Sequence, residues 1–407
     1  MADAIVDAVP SPWEATTLAE ICERGGGNIQ TGPFGSQLHA SDYVPVGIPS
    51  VMPQDIGDNV IREDSIARIS PSDAQRLSRY LLAEDDIVYS RRGDVERRAL
   101  VRSEQNGWLC GTGCLRIRPG GGIYSPFLSY YLGHPEVRQW IVRHAVGATM
   151  PNLNTKILGA VPVVVPPAAE QRAIAELLGA LDGKIRINER IASAADELRS
   201  ASYEAALLEA PGEFSYQPLS GVAEFVNGRA FTKGATGTGR MVVRIAEINS
   251  GPGSSTVYND IEVPGHHLAH PGDVLFAWSG SLTVARWYRR EAIINQHIFK
   301  VIPRGNNPLW LAFELINLKL AEFRAIAADK ATTMGHIQRR HLDEPVPTPS
   351  VAMLQKLDGQ QRPLWARALE AERESLTLTA LRDTLLPQLM SGKLRVRDAE
   401  RIVEDTV

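Results

Sequence analysis

A chain of 407 residues is too long for one ordinary core and points to two or three domains. With 44% hydrophobic and 22% charged residues it is globular rather than disordered or fibrous, and its most apolar stretch, residues 157–167, is too short and too rich in proline to cross a membrane. The formal charge of -4 gives no global signature of nucleic-acid binding, so any such role rests on local clusters of positive charge.

The first dozen residues, MADAIVDAVPSP, lack a basic segment of the secretory type, which makes the cytoplasm the expected compartment. Three cysteines, Cys22, Cys110 and Cys114, are too few for a disulfide framework or a four-ligand zinc site and read as small buried residues. No metal and no cofactor is expected. The glycine runs 25–27 and 120–122 read as turns, because neither has phosphate-loop spacing or a following Lys-Ser/Thr.

Short β-branched or aromatic runs bounded by Gly, Pro, Asn or Asp predict strands: IVYS, ALVR, CLRIR, VVRIAEI, VLFAW and AIINQHIFKVI. They suggest curled antiparallel sheets. Apolar-faced helices are predicted over residues 125–145 and 308–327.

These segments repeat. LAEDDIVYSRRGDVERRALV (residues 82–101) has the order of LAHPGDVLFAWSGSLTVARWY (268–288), with Asp86 opposite Asp273 and Gly93 opposite Gly280. GATMPNLNTKILGAVPVVVPP (147–167) is echoed by KATTMGHIQRRHLDEPVPTPS (330–350), and TGPFGSQL (31–38) more loosely by NGRAFTKG (227–234). An offset of roughly 185 to 195 residues is common to all of them, so one unit is duplicated.

Each copy is followed by a different texture. Residues 168–210 contain no proline and abound in Ala, Leu, Glu and Arg, and Ile174, Leu178, Leu181, Ile185 and Asn188 keep four-three spacing, which predicts a long helix with a packing seam. Pro166 and Pro167 stand before it; Pro211 and Gly212 close it. A second such stretch, residues 351–386, carries Leu354, Leu357, Leu364, Leu378 and Leu385 on a poorer seam and stops at Pro387 and Gly392. A helix of about 40 residues is roughly 60 Å long, too long to be buried in one small domain. Two of them bury their stripes most simply against each other, in opposite directions.

Four segments, TGPFGSQL, YSRRGDVERRALV, MPNLNTKILGAVPVVVPPAAEQRAIAELLGALDGKI and LRDTLLPQLMSGKL, closely resemble motifs of Type I restriction-modification specificity subunits. The likeness covers nearly the whole chain, although PSVAMLQKL replaces the Pro-Pro-x-x-Glu-Gln helix entry in the second half and GHIQRRHL matches PNLNTKIL only loosely. It implies an α+β chain of two similar mixed α/β target recognition domains, each followed by a long helix, with the helices packed as an antiparallel coiled coil in pseudo-two-fold symmetry. The expected boundaries are a first domain over 1–166, a central spacer helix over 167–210, a second domain over 211–350, a C-terminal spacer helix over 351–394 and a tail over 395–407.

The resemblance also implies a non-catalytic subunit that binds a bipartite, asymmetric double-stranded DNA target. Two adenine methyltransferase subunits and two motor-nuclease subunits would complete the restriction enzyme. The arginine and lysine clusters supply the expected DNA contacts: Arg91, Arg92, Arg97, Arg98, Asn154 and Lys156 in the first domain; Ser279, Arg286, Arg289, Arg290, Lys330, Arg339 and Arg340 in the second. The turn at 32–38 is expected to be a structural turn near the DNA face rather than a base reader, and Trp278 either stacks on a displaced base or, as is commoner for a tryptophan in an apolar run, lies in the core.

Two rivals differ in class. An enzyme acting on DNA is disfavoured by the absence of an Asn/Asp-Pro-Pro-aromatic loop, of clustered carboxylates with a lysine, and of a P-loop. A coiled-coil scaffold that binds no DNA is compatible with the acidic charge, and salt-dependent DNA affinity separates it from a reader.

Overall fold

The computed structural model describes residues 10–147, 149–328 and 335–406. They divide into two compact units, the described residues of 10–183 with 378–406, and those of 184–377.

In the first unit, β1 (Asn28–Thr31), β2 (Ile87–Ser90), β3 (Arg98–Leu100) and β4 (Cys114–Arg118) form a sheet in the order β1-β4-β2-β3, extended by the short strand Asp58–Asn59. A three-stranded sheet (Ala67–Ile69, Tyr43–Val51, Leu109–Cys110) and the ribbon of Glu14–Thr17 with Pro162–Val165 complete its β structure. In the second unit, β5 (Ala223–Asn227), β6 (Val274–Ala277), β7 (Thr283–Arg286) and β8 (Ile298–Pro303) take the same order, β5-β8-β6-β7. A four-stranded sheet built on Arg240–Val243 and Ala292–Ile294, and the ribbon of Phe214–Pro218 with Pro345–Pro349, accompany it.

The duplication extends to register and side chains. Ile87 faces Ile117 as Val274 faces Val301, and Thr31 faces Leu115 as Asn227 faces Phe299. In each second sheet two strands run parallel, pairing Val51 with Cys110 and Val243 with Ile294. The antiparallel expectation therefore holds among β1 to β4 and among β5 to β8, whereas Asp58–Asn59 joins β3 in parallel and the second sheets are mixed. Asp86 accepts the Ala83 N–H at 2.8 Å and meets Arg118 at 2.6 Å; Asp273 accepts the His270 N–H at 2.7 Å and meets Lys300 at 2.7 Å. Gly93 and Gly280 both have positive φ, 74° and 66°, as their turns require.

Three predicted elements differ. VVRIAEI is a strand only to Val243, because the Glu247 carboxylate accepts the Arg244 backbone N–H at 3.0 Å and turns the chain into the helix Ile245–Ser250. AIINQHIFKVI splits into Ala292–Ile294 and Ile298–Pro303. The helix expected over 125–145 is two, Ser125–Tyr131 and Pro135–His144, whereas its counterpart Leu309–Ala328 is unbroken. The break falls where Pro135 opens a new first turn and where Gly133 lets the Arg98 guanidinium pass; a Cβ there would stand 1.9 Å from Arg98 Nη2.

The long helices are Ala168–Glu209 and Val351–Met390, and they pack together. Ile174, Leu178, Leu181, Ile185, Leu357, Leu378 and Leu385 are buried, and Leu364 is half-buried against the Ala192, Ala195, Ala368 and Ala371 layer. In the second unit Asn188 Nδ2 bonds Glu374 at 2.8 Å while Gln361 Nε2 donates to the Arg199 carbonyl at 3.0 Å, partners that descend on one helix as they ascend on the other. The pair is antiparallel there.

Local chemistry sets the ends. Gln171 accepts the Tyr124 N–H at 2.9 Å and donates to the Pro166 carbonyl at 2.7 Å, tying the first helix to its Pro-Pro entry. The second starts without that motif because Ser350 caps it, its Oγ accepting the Met353 N–H at 3.2 Å. It continues through Pro387 to Met390 before Gly392, at φ 68°, ends it. The expected tail is a further helix, Val396–Thr406. No helix among the described residues is long and apolar enough to cross a membrane. The three cysteines are free and buried, and burial pushes the Cys22 and Cys110 thiols up to about 11 and about 12.

Candidate nucleic-acid interface

Four loops converge at one end of each first sheet, tied by the same four backbone hydrogen bonds. In the first unit Gly32 N–H donates to Cys114 O (3.0 Å), Arg91 N–H to Gly113 O (2.8 Å), Leu153 N–H to Arg91 O (2.9 Å) and Gly93 N–H to Pro151 O (3.1 Å). In the second unit Gly228 donates to Ile298 (3.0 Å), Trp278 to His297 (3.2 Å), Ile337 to Trp278 (3.1 Å) and Gly280 to Gly335 (2.8 Å). Each pair occupies the same place in the duplicated strands.

The first loop reaches the others through a glycine that nothing can replace without movement. A Cβ on Gly32 would lie 2.1 Å from the Gly111 carbonyl oxygen, and one on Gly228 2.2 Å from the Asn295 carbonyl oxygen. The loop backbone is thus fixed on both sides, and it presents Phe34 in the first unit and Arg229 in the second to solvent.

Those side chains differ completely between the units. Where the first has Arg91, Arg92, Gly113 and Asn152, the second has Trp278, Ser279, His297 and His336. Arg91 lies over the Phe34 ring at 5.8 Å, and Phe34 is exposed. Trp278 is half-buried, its indole N–H bonded to Asn227 Oδ1 at 2.8 Å and its ring 5.4 Å from His297 and 6.3 Å from His336. It stands just past the end of the strand at Ala277 and packs against the edge of the core, its ring 5.8 Å from that of Phe299.

The predicted contacts separate into three groups. Arg92, Lys156 and Arg340 are exposed and form no ion pair among the described residues. Arg339 is exposed with its guanidinium 3.5 Å from the Phe225 carbonyl oxygen, and Asn154 is exposed but caps the helix Thr155–Gly159, its Oδ1 accepting the Ile157 N–H at 2.8 Å. Arg91 sits at the loop junction, with its Nε buried and without a hydrogen-bond partner.

A second group is satisfied internally. Arg97 is paired with Asp94 at 2.7 Å. Arg98, with a side chain 5% exposed, holds Asp58 at 2.9 Å and the Ser129 carbonyl at 2.7 Å. Arg286, 2% exposed, is bidentate on both Asp196 and Glu372 at 2.9 Å, and these two carboxylates hold its guanidinium well above the ordinary arginine range even though burial opposes the charge. Arg289 folds over its neighbour Tyr288, donating to the phenol oxygen at 3.0 Å, and Ser279 is buried in the bridge to His336.

In the third group, Arg290 is exposed beyond β7 and Lys330 lies outside the described residues.

Arg229, Gln296, His297 and His336 also line the second cluster. Only the looser NGRAFTKG repeat hinted at Arg229; the histidines carry no spacing signal, because strand pairing, not sequence proximity, brings them together. Among the described residues no group of three or more His, Cys, Asp and Glu side chains is placed to hold a metal ion.

Known proteins resemble this chain over about half or nearly all of its length. The family described as Type I restriction modification DNA specificity domain matches residues 10–195. The specificity subunit of the Type I restriction enzyme MjaIX from Methanocaldococcus jannaschii is 21% identical, the match covering 97% of this chain and 96% of that one. The putative Type I restriction enzyme MjaX specificity subunit of the same organism is 25% identical over 46% of this chain and 43% of its own length. In fold, the crystal structure of a Type I restriction-modification system S subunit from M. genitalium superposes with a TM-score of 0.57 at 15% identity, covering 94% of this chain and 96% of that one.

Proposed function

The chain belongs to the Type I restriction-modification specificity subunits, the non-catalytic DNA specificity component of such an enzyme, and from that premise we propose how it reads its target. It binds a bipartite, asymmetric duplex sequence, each half-site read by one four-loop cluster. Residues 1–166 and 211–350 are the two target recognition domains. Residues 167–210 and 351–394 are the spacers whose helical length fixes the number of uncontacted base pairs between half-sites.

One observation carries this reading: the same four backbone hydrogen bonds recur in both units under different side chains. A constant frame with variable outward groups is what two modules need to present different hydrogen-bonding edges to different base sequences. Cations that form no ion pair among the described residues, Arg92 and Lys156 in one unit and Arg229 and Arg340 in the other, suit phosphate oxygens and supply salt-dependent affinity despite the net negative chain. Arg98 and Arg286 are left out of the DNA-contacting set because their guanidinium groups are saturated by carboxylates and a carbonyl. Two methyltransferase subunits and two motor-nuclease subunits assemble on this scaffold in the cytoplasm.

Exchange of residues 213–350 for the equivalent segment of another family member tests the reading, with methylated adenines mapped across the genome. One half-site changes and the other persists. A change in both, or the absence of salt-sensitive DNA binding by the chain with its methyltransferase, contradicts it and favours a scaffold without DNA affinity.

A further inference from the structure

Phe34 is a large apolar side chain held out in solvent by a rigid turn. It is 54% exposed. Its N–H donates to Gln37 Oε1 at 3.2 Å and its carbonyl accepts the Gln37 N–H at 2.8 Å. Gln37 is braced in turn, by the Tyr80 hydroxyl on Oε1 at 2.8 Å and by Arg76 on its carbonyl at 2.8 Å. Leu38 is buried beside Ile69 and Tyr80, and Gly32 is locked against Gly111. The turn is pinned at both ends, so little conformational entropy remains to be lost when the ring meets a ligand.

The surroundings specify the ligand. Arg91 lies across the ring at 5.8 Å, with its Nε buried and unpartnered, and the exposed Arg92 follows it. An exposed aromatic ring under a guanidinium, in a cationic loop cluster, matches a base stack flanked by phosphates, where apolar wedges enter a step and cations hold the backbone. The second unit lacks this device. Two residues beyond Gly228, where Phe34 stands beyond Gly32, it has Ala230.

We infer that Phe34 is a wedge that enters the base stack of the half-site read by the first unit, and that the half-site read by the second unit is bound without such distortion. The inference rests on the DNA-reading assignment above and adds an asymmetry to it: one half-site is selected partly by how readily it unstacks, the other by direct contacts alone.

The test uses the full chain with its methyltransferase partner and duplexes carrying 2-aminopurine at one position at a time through both half-sites. In the wild type one position in the first unit's half-site brightens on binding. In Phe34→Ala that signal falls to the duplex level and affinity drops roughly 10-fold, while the melting temperature and the salt dependence stay as in the wild type. Phe34→Trp restores the signal. The other half-site shows no position sensitive to Phe34. If Phe34→Ala leaves every fluorescence change and the affinity as they were, or if the only bright position is one that persists in the variant, as a base flipped by the methyltransferase would, the wedge is excluded and DNA reading stands. If the wild-type complex binds no duplex in a salt-sensitive manner, both readings fall.

Discussion

The guanidinium of Arg286 lies 4.5 Å from the centroid of the Trp365 ring, and Arg199 lies 4.9 Å from the same ring. Arg286 comes from β7, Trp365 from the second long helix, and the carboxylates that clamp Arg286 come one from each long helix, Asp196 and Glu372. The second unit's sheet is thereby bonded to its part of the helix pair. Removing the arginine leaves two carboxylates facing one another, and burial, its largest cause, already raises Glu372 above its usual value. Arg286→Ala is expected to lower unfolding stability by about 3 kcal/mol in urea denaturation, and Arg286→Lys by less, because the charge remains but the fork is lost. Neither should alter the salt dependence of DNA binding. A changed salt slope with unchanged stability would make Arg286 a DNA contact after all.

The seam holds a polar residue that weakens it. Asn188 is fully buried, its Nδ2 bonded to Glu374 and its Oδ1 without a partner. Asn188→Leu is expected to raise the unfolding free energy by on the order of 1 kcal/mol, seen as a higher urea midpoint, as removal of a buried unsatisfied acceptor does. Leu181→Asp, which puts a carboxylate into the seam, should cost about 3 kcal/mol or more and impair assembly with the methyltransferase. An unchanged melting temperature for Leu181→Asp contradicts the seam.

Phosphate contacts are counted by salt. Arg92→Ala and Arg340→Ala should each reduce the slope of log affinity against log salt by about 1, in filter binding across a salt series. Arg97→Ala, whose guanidinium is paired with Asp94, should change it less. Equal effects of all three would mean that the Asp94 pair opens on DNA.

The glycines at the loop junction make a contrast. Gly228→Ala brings a Cβ to 2.2 Å from the Asn295 carbonyl oxygen, so the loop must shift, at about 1 to 3 kcal/mol and with loss of affinity for one half-site. Gly35 has nothing within 4 Å of such a Cβ, and Gly35→Ala should leave the melting temperature intact.

Acid pH reports on the turn that sequence patterning misread. Burial alone would raise the Glu247 carboxyl, but Arg244 and Thr256 hold it below the ordinary glutamate value. The unfolded chain therefore takes up the proton first on acidification. The stabilisation is complete above the unfolded carboxylate pKa and is lost as pH falls through the lower folded one. Urea midpoints of wild type and Glu247→Gln should differ at neutral pH and converge in acid. A difference independent of pH would assign the effect to shape alone.

Much of the scaffold was legible because it follows from periodicity. The seam from Ile174 to Ile185 is a four-three spacing, and a helix that keeps it has only one apolar face to bury. Gly93 and Gly280 were matched by order alone and share a positive φ, since both turns demand it. Positive charge was less informative: an arginine reads the same in sequence whether it faces phosphate or a buried carboxylate. Arg98 and Arg286 were grouped with Arg92 for that reason, and only the positions of Asp58, Asp196 and Glu372 separate them.

The sequence by itself determined that a unit is duplicated, that each copy is followed by a long helix, and which family the motifs resemble, because repeats, helix propensity and capping are local properties of the chain. Only the tertiary structure decided which side chains share a surface. Phe34 with Arg91, and Trp278 with His297 and His336, are neighbours through strand pairing between segments far apart in the chain, and long-range pairing leaves no periodic trace in a single sequence.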